Sequence, residues 1–369
     1  MKGKFVTGLL ISLIIALLVC IGLLGFNVYN QLFANLGEEL SLNANFAKIQ
    51  EAKENVSTPQ VVAQELVNSE DTFQNVEYES AASTTHYFYD QLEDVSKQIY
   101  DGLEANKDNM KTGTYAIEFG NNFYDVLSGS NGQEVLGDYY QSAVEAFTYD
   151  NPDIFYIDPT KMYLNIQTIT RGNDVSYNVY IANDNGVSYL AEGFTSKEDV
   201  EQCQAQIEQV KNSILSRITG DAYNKVGQIH NYLVDTINYD QSLSKANIYN
   251  LYGALVQKEC VCEGYAKAFK YLLDEAGISC VIIVGVATNS QGETENHAWN
   301  YVQLNNNWYA IDTTWDDPIV QGGGEATAEH KYRYFLKGAN TMNSTHRASG
   351  QFTEGGKVFS YPTISSTDF

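Results

Sequence analysis

The stretch ECVCEGYAKAFKYLLDEAG at 259–277 decides the reading of this chain. Cys262 to Ala276 reads as a helix, with Gly277 placed to close it in a left-handed residue. Beyond it, SCVIIVGVA (279–287) reads as a buried strand. His297 to Leu304 and Trp308 to Trp315 then form a hairpin around Asn305, Asn306 and Asn307. One helix followed by three strands predicts an α+β unit with the helix packed on an antiparallel sheet.

The same stretch carries the chemistry. A thiol becomes a strong nucleophile only as its thiolate, and a helix N-terminus favours that form with unpaired N–H groups and a partial positive charge. Cys262 stands where the helix begins, so its backbone N–H is also a candidate for the oxyanion of a tetrahedral intermediate. A nucleophile of this kind needs a base, and the base needs an orienting group. His297 and Asp312 are the candidates. Strand parity tests them: an even asparagine turn sets Trp299 opposite Asp312 and leaves His297 diagonal to Asp312 on one face, whereas an odd turn sets them on opposite faces. The arrangement therefore requires a two- or four-residue turn.

Taken singly, each residue has a plainer reading: the cysteine as packing, the histidine as a structural hydrogen bonder, the aspartate as a turn cap. Their joint order on helix, strand and strand favours chemistry. Cys260-Val261-Cys262 also raises a metal site or a redox pair, but structural zinc wants spaced cysteine pairs and no second pair exists. No metal is expected.

Upstream, Asp221 to about Ile237 predicts a helix with Val226, Ile229, Leu233 and Ile237 on one face, and His230 beside that stripe reads as structural. Thr195 with Glu198 predicts a capping box opening a helix that runs to Ile218. Cys203 falls on its apolar stripe. Lys161 to Thr170 and Val175 to Ala182 read as a hairpin about Gly172, Asn173 and Asp174. A helix around Tyr139 to Tyr149 runs into the turn at Asn151-Pro152-Asp153, and His86 to Leu103 has helical spacing. From Asn27 to about Thr85 the chain reads as a polar stalk containing a helical run, Pro59 to Asn68.

At the start, Lys2 and Lys4 precede an uncharged apolar run from Phe5 to Phe26. As a helix, that run is long enough for a hydrocarbon core of roughly 30 Å. No convincing cleavage site follows, so an uncleaved anchor is expected, with the lysines cytoplasmic and the remainder exported. Cleavage would instead make the protein secreted. Cys20 has a poor lipoprotein context, because Val19 precedes it and the apolar run continues.

Acidic residues outnumber basic ones 46 to 22 over 369 residues, a formal charge of −24 that repels phosphate backbones, so nucleic acid is excluded as a partner. The 27 Tyr against 3 Trp suit half-wet aromatic surfaces such as substrate grooves, or ordinary packing. Five cysteines do not make the dense framework of a disulfide-stapled domain, so stability must come from a core.

CVCEGYA, NHAWN and WYAIDTTWDDP resemble the three signature blocks of the transglutaminase-like superfamily, whose members share a papain-like core. The resemblance covers about Asp221 to Leu336. It implies Cys262 as nucleophile, His297 as its base and Asp312 as the orienting carboxylate. The later YRYFLKG (332–338) with His346 resembles the ending of bacterial members, and AVEAFTYDNPDIFYID (143–158) resembles a companion region. The implied organisation is a membrane anchor at 1–26, a stalk at 27–85, an α+β companion domain at 86–200 and a catalytic domain at 201–369.

The implied activity is thiol acyl transfer on amide bonds of proteins or peptides, transglutaminase-like or peptidase/amidase, through a thioester at Cys262. The alternative is a catalytically silent binding module of the cell surface. Tyr252 and Gln257 are candidates to complete the oxyanion hole. Tyr265, Trp299 and Trp315 are candidates for the substrate groove. No animal-type calcium loop is recognisable, so no cofactor is expected. The expected partners are a protein or peptide substrate, with cell-wall peptide among the candidates, and the membrane through the N-terminal helix. The natural substrate, and transfer against hydrolysis, stay open.

Overall fold

Two asparagines fix the sheet on which the site is built. Asn305 and Asn306 take φ of 51° and 62°, the left-handed pair of a tight hairpin, and Leu304 pairs directly with Asn307. The turn thus has two residues, the even count required above. A computed structural model describes residues 60–67, 72–81, 86–183, 186–317, 327–353 and 356–369. These lie within one compact unit, Ala52–Phe369.

Among the described residues the longer helices are α1 (Asp94–Ala105), α2 (Gly132–Asp150), α3 (Lys197–Leu215), α4 (Ala222–Thr236) and α5 (Cys262–Glu275). The strands are β1 (Gln60–Val67), β2 (Ile117–Gly120), β3 (Met162–Arg171), β4 (Asp174–Asn183), β5 (Asn238–Tyr239), β6 (Glu259–Cys260), β7 (Cys280–Thr288), β8 (Thr294–Leu304), β9 (Asn307–Ile311) and β10 (His346–Ala348). The first sheet has the order β1-β3-β4-β2 and the second β10-β7-β8-β9, while β5 and β6 form a short parallel pair.

In the second sheet every neighbour is antiparallel, and α5 lies across β7 and β8 with α4 behind it. Its buried side includes Tyr265, Phe269, Leu272 and Leu273, so the helix is held by packing. Each such side chain contributes roughly 1.5–3 kcal/mol on leaving water. Gly277 has φ 73° just past the end of α5, as expected of a helix-closing glycine.

The upstream region makes the first sheet, with α2 against β1 and β3 and α1 against α2. The hairpin of β3 and β4 closes at Arg171 opposite Asp174. One apolar core runs from Phe88 to Ile364 through both sheets. The C-terminal segment helps to bind them: Phe88 meets Phe352 and Phe359 edge-on at 5.2 and 5.3 Å between ring centroids.

Three expectations need revision. Pro59 to Asn68 was expected to be helical and part of a stalk, but Gln60–Val67 is a strand paired in parallel with β3 from Gln60 opposite Tyr163 to Val67 opposite Thr170. Val61, Val62 and Val67 suit a strand once a sheet edge is offered, so tertiary pairing overrides the local pattern. The cap of α3 is Ser196, which accepts from Asp199 N, while Thr195 N donates to Asp199. The division at 200/201 falls inside α3.

The apolar run Phe5 to Phe26 and most of the expected stalk lie outside the described residues. Among the described residues, no helix is long and apolar enough to cross a membrane.

Candidate active site

Cys262 is the first residue of α5 because Val261 before it is extended, at φ −104° and ψ −176°. Valine has no side-chain acceptor, so the N-cap residue makes no capping hydrogen bond there. The first-turn N–H groups are therefore left to the site. Behind the cysteine, Gly264 permits close packing, since a Cβ on it would stand 2.5 Å from Cys260 Cβ and 2.9 Å from Ile248 O. Cys260 and Cys262 are both free thiols. Burial pushes the Cys260 thiol well up, with Cys262 adding to it, so Cys260 is an inert neighbour.

His297 lies within β8 opposite Gly285 of β7, and Asp312 follows the last residue of β9. The register continues from Asn300 opposite Ile311, so Trp299 faces Asp312 and His297 shares its side of the sheet. His297 Nε2 is 2.7 Å from Asp312 Oδ2. Cys262 also acts on this imidazole and raises it, and Nδ1 is the ring nitrogen that the Asp312 bond leaves open. Relative exposures are 5 % for Cys262, 2 % for His297 and 0 % for Asp312.

Asp312 serves both readings that the sequence offered. Oδ1 caps the following turn by accepting from Thr314 N at 3.0 Å and Trp315 N at 3.1 Å. Oδ2 accepts from His297 and also lies 3.0 Å from His346 Nε2. Burial pushes the Asp312 carboxyl up, but the His297 charge and the histidine hydrogen bonds outweigh it and hold the group well below the usual carboxylate range. Burial likewise pulls His297 down, and the Asp312 carboxylate with Cys262 more than offsets this, holding the imidazole well above its ordinary value. Both shifts favour an imidazolium facing a carboxylate.

A second buried pair steadies this turn. His230 Nε2 is 2.9 Å from Asp316 Oδ2, and Asp316 Oδ1 accepts from Tyr334 N at 2.7 Å. His230 is thus structural, in line with its place beside an apolar stripe.

The other candidates fall differently. The Tyr252 hydroxyl donates to Gln206 Oε1 at 3.0 Å, and its ring packs with Phe155 and Phe194. Tyr252 therefore braces α3, and Gln257 is exposed at the end of the turn Gly253–Gln257. That turn is pinned by Gly253, whose backbone sits tight against Asn247. Tyr265 is fully buried and donates to Asp317 Oδ2 at 2.6 Å, a core role. Trp299 is buried and stacks on His297 at 6.0 Å, whereas Trp315 is half-buried at 5.4 Å from His297 and remains at the edge of the site.

Two residues that the sequence reading did not name for the site lie beside Cys262. Tyr149 of α2 and Phe352 of the C-terminal segment stack at 3.9 Å with 9° between planes, and both pack on the cluster of Cys262, Ala266, Ile282, Val284 and Ala298. Tyr239 and Tyr249 also feel Cys262: burial raises both hydroxyls, Tyr249 to about 12, with the cysteine adding to each. The tyrosine-rich composition was the signal for such a surface. Among the described residues, the one cluster with metal-ligand spacing is His297, Asp312 and His346. Its ligand atoms are already engaged in the hydrogen bonds above.

A cysteine opening a helix that packs on an antiparallel sheet, with a histidine and an aspartate paired on that sheet, makes an α+β core. Residues 208–313 match the family model of the Transglutaminase-like superfamily, and the chain carries a transglutaminase-like domain there, with Cys262, His297 and Asp312 inside the match. Members of this superfamily are typically cysteine-dependent enzymes. Kyphoscoliosis peptidase of Mus musculus is 25% identical over 137 residues, covering 34% of this chain and 21% of the relative. The Homo sapiens protein of that name is 32% identical over 66 residues, covering 16% and 10%. The chain thus spans about a fifth or less of the length of these curated relatives. The crystal structure of a TGase aligns with a TM-score of 0.29 at 16% identity, covering 47% of this chain and 50% of that one.

Proposed function

We propose that this chain is a cysteine acyl-transfer enzyme acting on amide bonds of proteins or peptides, with Cys262, His297 and Asp312 as its catalytic residues. The observation that carries the reading is the His297 link, with one ring nitrogen on Asp312 and the other left for a cysteine at an uncapped helix start.

Cys262 Sγ, its proton held by His297, attacks the carbonyl carbon, and the oxyanion is met by first-turn N–H groups. The C–N bond then breaks, and the leaving amine takes the proton from His297. The thioester passes its acyl group to an amine or to water, which gives a proton back to His297 as the S–C bond breaks. Asp312 keeps the imidazole oriented and stabilises its charge.

The proposal includes action at the cell surface. The apolar run Phe5 to Phe26 behind two lysines supports a single-pass anchor with the domain outside, where surface proteins and wall peptides are the available substrates.

The cover of Tyr149 and Phe352 favours a second reading, a silent binding module. Mass spectrometry of a peptide library incubated with the protein, with and without a primary amine, separates them. Amine incorporation means transfer and cleavage or deamidation means hydrolysis, whereas an unchanged library overturns the enzyme reading.

A further inference from the structure

We propose that His346 is a positioning residue for the His297–Asp312 pair, a neutral donor that holds the Asp312 oxygen to which His297 is also bonded. The inference rests on the reading of Cys262 as nucleophile and deepens it.

His346 is far from the signature blocks in sequence, and the three-residue strand β10 delivers it by pairing with β7, His346 opposite Ala287. Its Nε2 is 3.0 Å from Asp312 Oδ2, the oxygen that also bonds His297. With Oδ1 held by two backbone N–H groups, both carboxylate oxygens are occupied from separate directions. The carboxylate then has no freedom to swing away from His297.

The surroundings assign the tautomer of His346. Nε2 faces a carboxylate oxygen and so carries the hydrogen given to Asp312, and Nδ1, 2.8 Å from Thr345 Oγ1, accepts from that hydroxyl in the neutral ring. Trp299, Trp315 and Tyr334 meet the ring edge-on at 5.0, 4.7 and 5.2 Å and fix its plane. The groups facing it that titrate are Asp312, His297 and Tyr334. Burial holds His346 below its ordinary value, and the His297 charge adds to that against the pull of Asp312. One carboxylate thus serves two histidines with divided roles: His297 charged, His346 neutral.

A space-filling histidine would occupy the same hole, so the test separates donor from shape. His346→Phe keeps a flat ring without a donor, and His346→Gln keeps an N–H near Nε2. Alkylation of the full chain by iodoacetamide is followed as a function of pH, beside thermal unfolding. His346→Phe should slow labelling of Cys262 about 10- to 100-fold at neutral pH, the usual cost of losing an orienting partner. Its alkaline limb should move to lower pH, because a loosened carboxylate holds the imidazolium less well. His346→Gln should retain the parent profile.

A His346→Phe profile that superimposes on the parent overturns the proposal. So does equal loss in both variants that tracks their unfolding temperatures. Should His346→Phe fail to fold, nitrogen NMR of the parent decides: a neutral Nε2–H tautomer is expected for His346, and an imidazolium or Nδ1–H form overturns it. Labelling that persists in Cys262→Ala would instead strike the proposed function, and so the two failures are distinct.

Discussion

His297 Nε2 and Asp312 Oδ2 lie 2.7 Å apart between β8 and the turn that follows β9, both side chains buried. That contact converts a two-residue asparagine turn into an oriented imidazole. Asp312→Asn tests it, because the amide keeps the shape and loses the charge. Activity should fall by on the order of 10⁴-fold if the group works as orienting carboxylates do elsewhere. Turnover of the peptide library with and without a primary amine is the readout, and a variant that retains most of the parent rate would remove Asp312 from the mechanism.

The pH dependence follows from the same pair. His297 is raised in the fold, so the stability it adds is fully present below its unfolded value of about 6.5 and is lost as pH rises through the folded value. Activity that depends on the imidazolium should therefore persist through neutral pH and decline on the alkaline side. In Asp312→Asn the alkaline limb should move down, since burial alone pulls the imidazole lower. A limb unmoved by that substitution contradicts the assignment.

A buried carboxylate beside the cover gives an independent prediction. Glu145 of α2 accepts from Thr353 and from Gln141 Nε2 at 3.1 Å, while its Oε2 has no partner among the described residues. Burial pushes its carboxyl up to about 7. The folded value is raised, so stability present below about 4.5 is lost as pH climbs through about 7, a swing of about 3 kcal/mol. Glu145→Gln should match the parent in acid and melt on the order of 5 °C higher at pH 8. Parallel melting curves across that range would rule this out.

Gly264 offers a steric test. A methyl there would stand 2.5 Å from Cys260 Cβ and 2.8 Å from its Sγ, with Ile248 O at 2.9 Å. Gly264→Ala should cost about 1–3 kcal/mol through overpacking, outweighing its gain in helix propensity. Labelling of Cys262 should slow as well, because the first turn of α5 must shift. Denaturant unfolding and iodoacetamide kinetics measure the two effects separately.

The sequence was most legible where the pattern is local. α5 and its closing Gly277 follow from spacing and turn chemistry, whereas the three asparagines left the parity of the β8–β9 turn open, and the left-handed pair Asn305 and Asn306 is what sets the faces of His297 and Asp312. Gln60–Val67 misled because a strand at a sheet edge takes its shape from β3, a partner outside any local window. Tyr252 and Gln257 seemed near Cys262 in sequence, yet the turn at Gly253–Gln257 carries Tyr252 to α3 and leaves Gln257 exposed. Tyr149, Phe352 and His346 reach the site from distant segments through packing of α2, the C-terminal segment and β10. The resemblance had marked His346 and the stretch around Tyr149, but their place at the site comes only from the three-dimensional pairing of those elements.

The central claim concerns one sulfur. Labelling of the full chain with an electrophilic, thiol-directed acyl-type inhibitor, read by intact-mass and peptide mass spectrometry, compares the parent with Cys262→Ala and Cys260→Ala. Cys262→Ala should abolish the modification, and Cys260→Ala, which removes a thiol pushed well up by burial, should leave it in place. Modification that survives in Cys262→Ala contradicts the account.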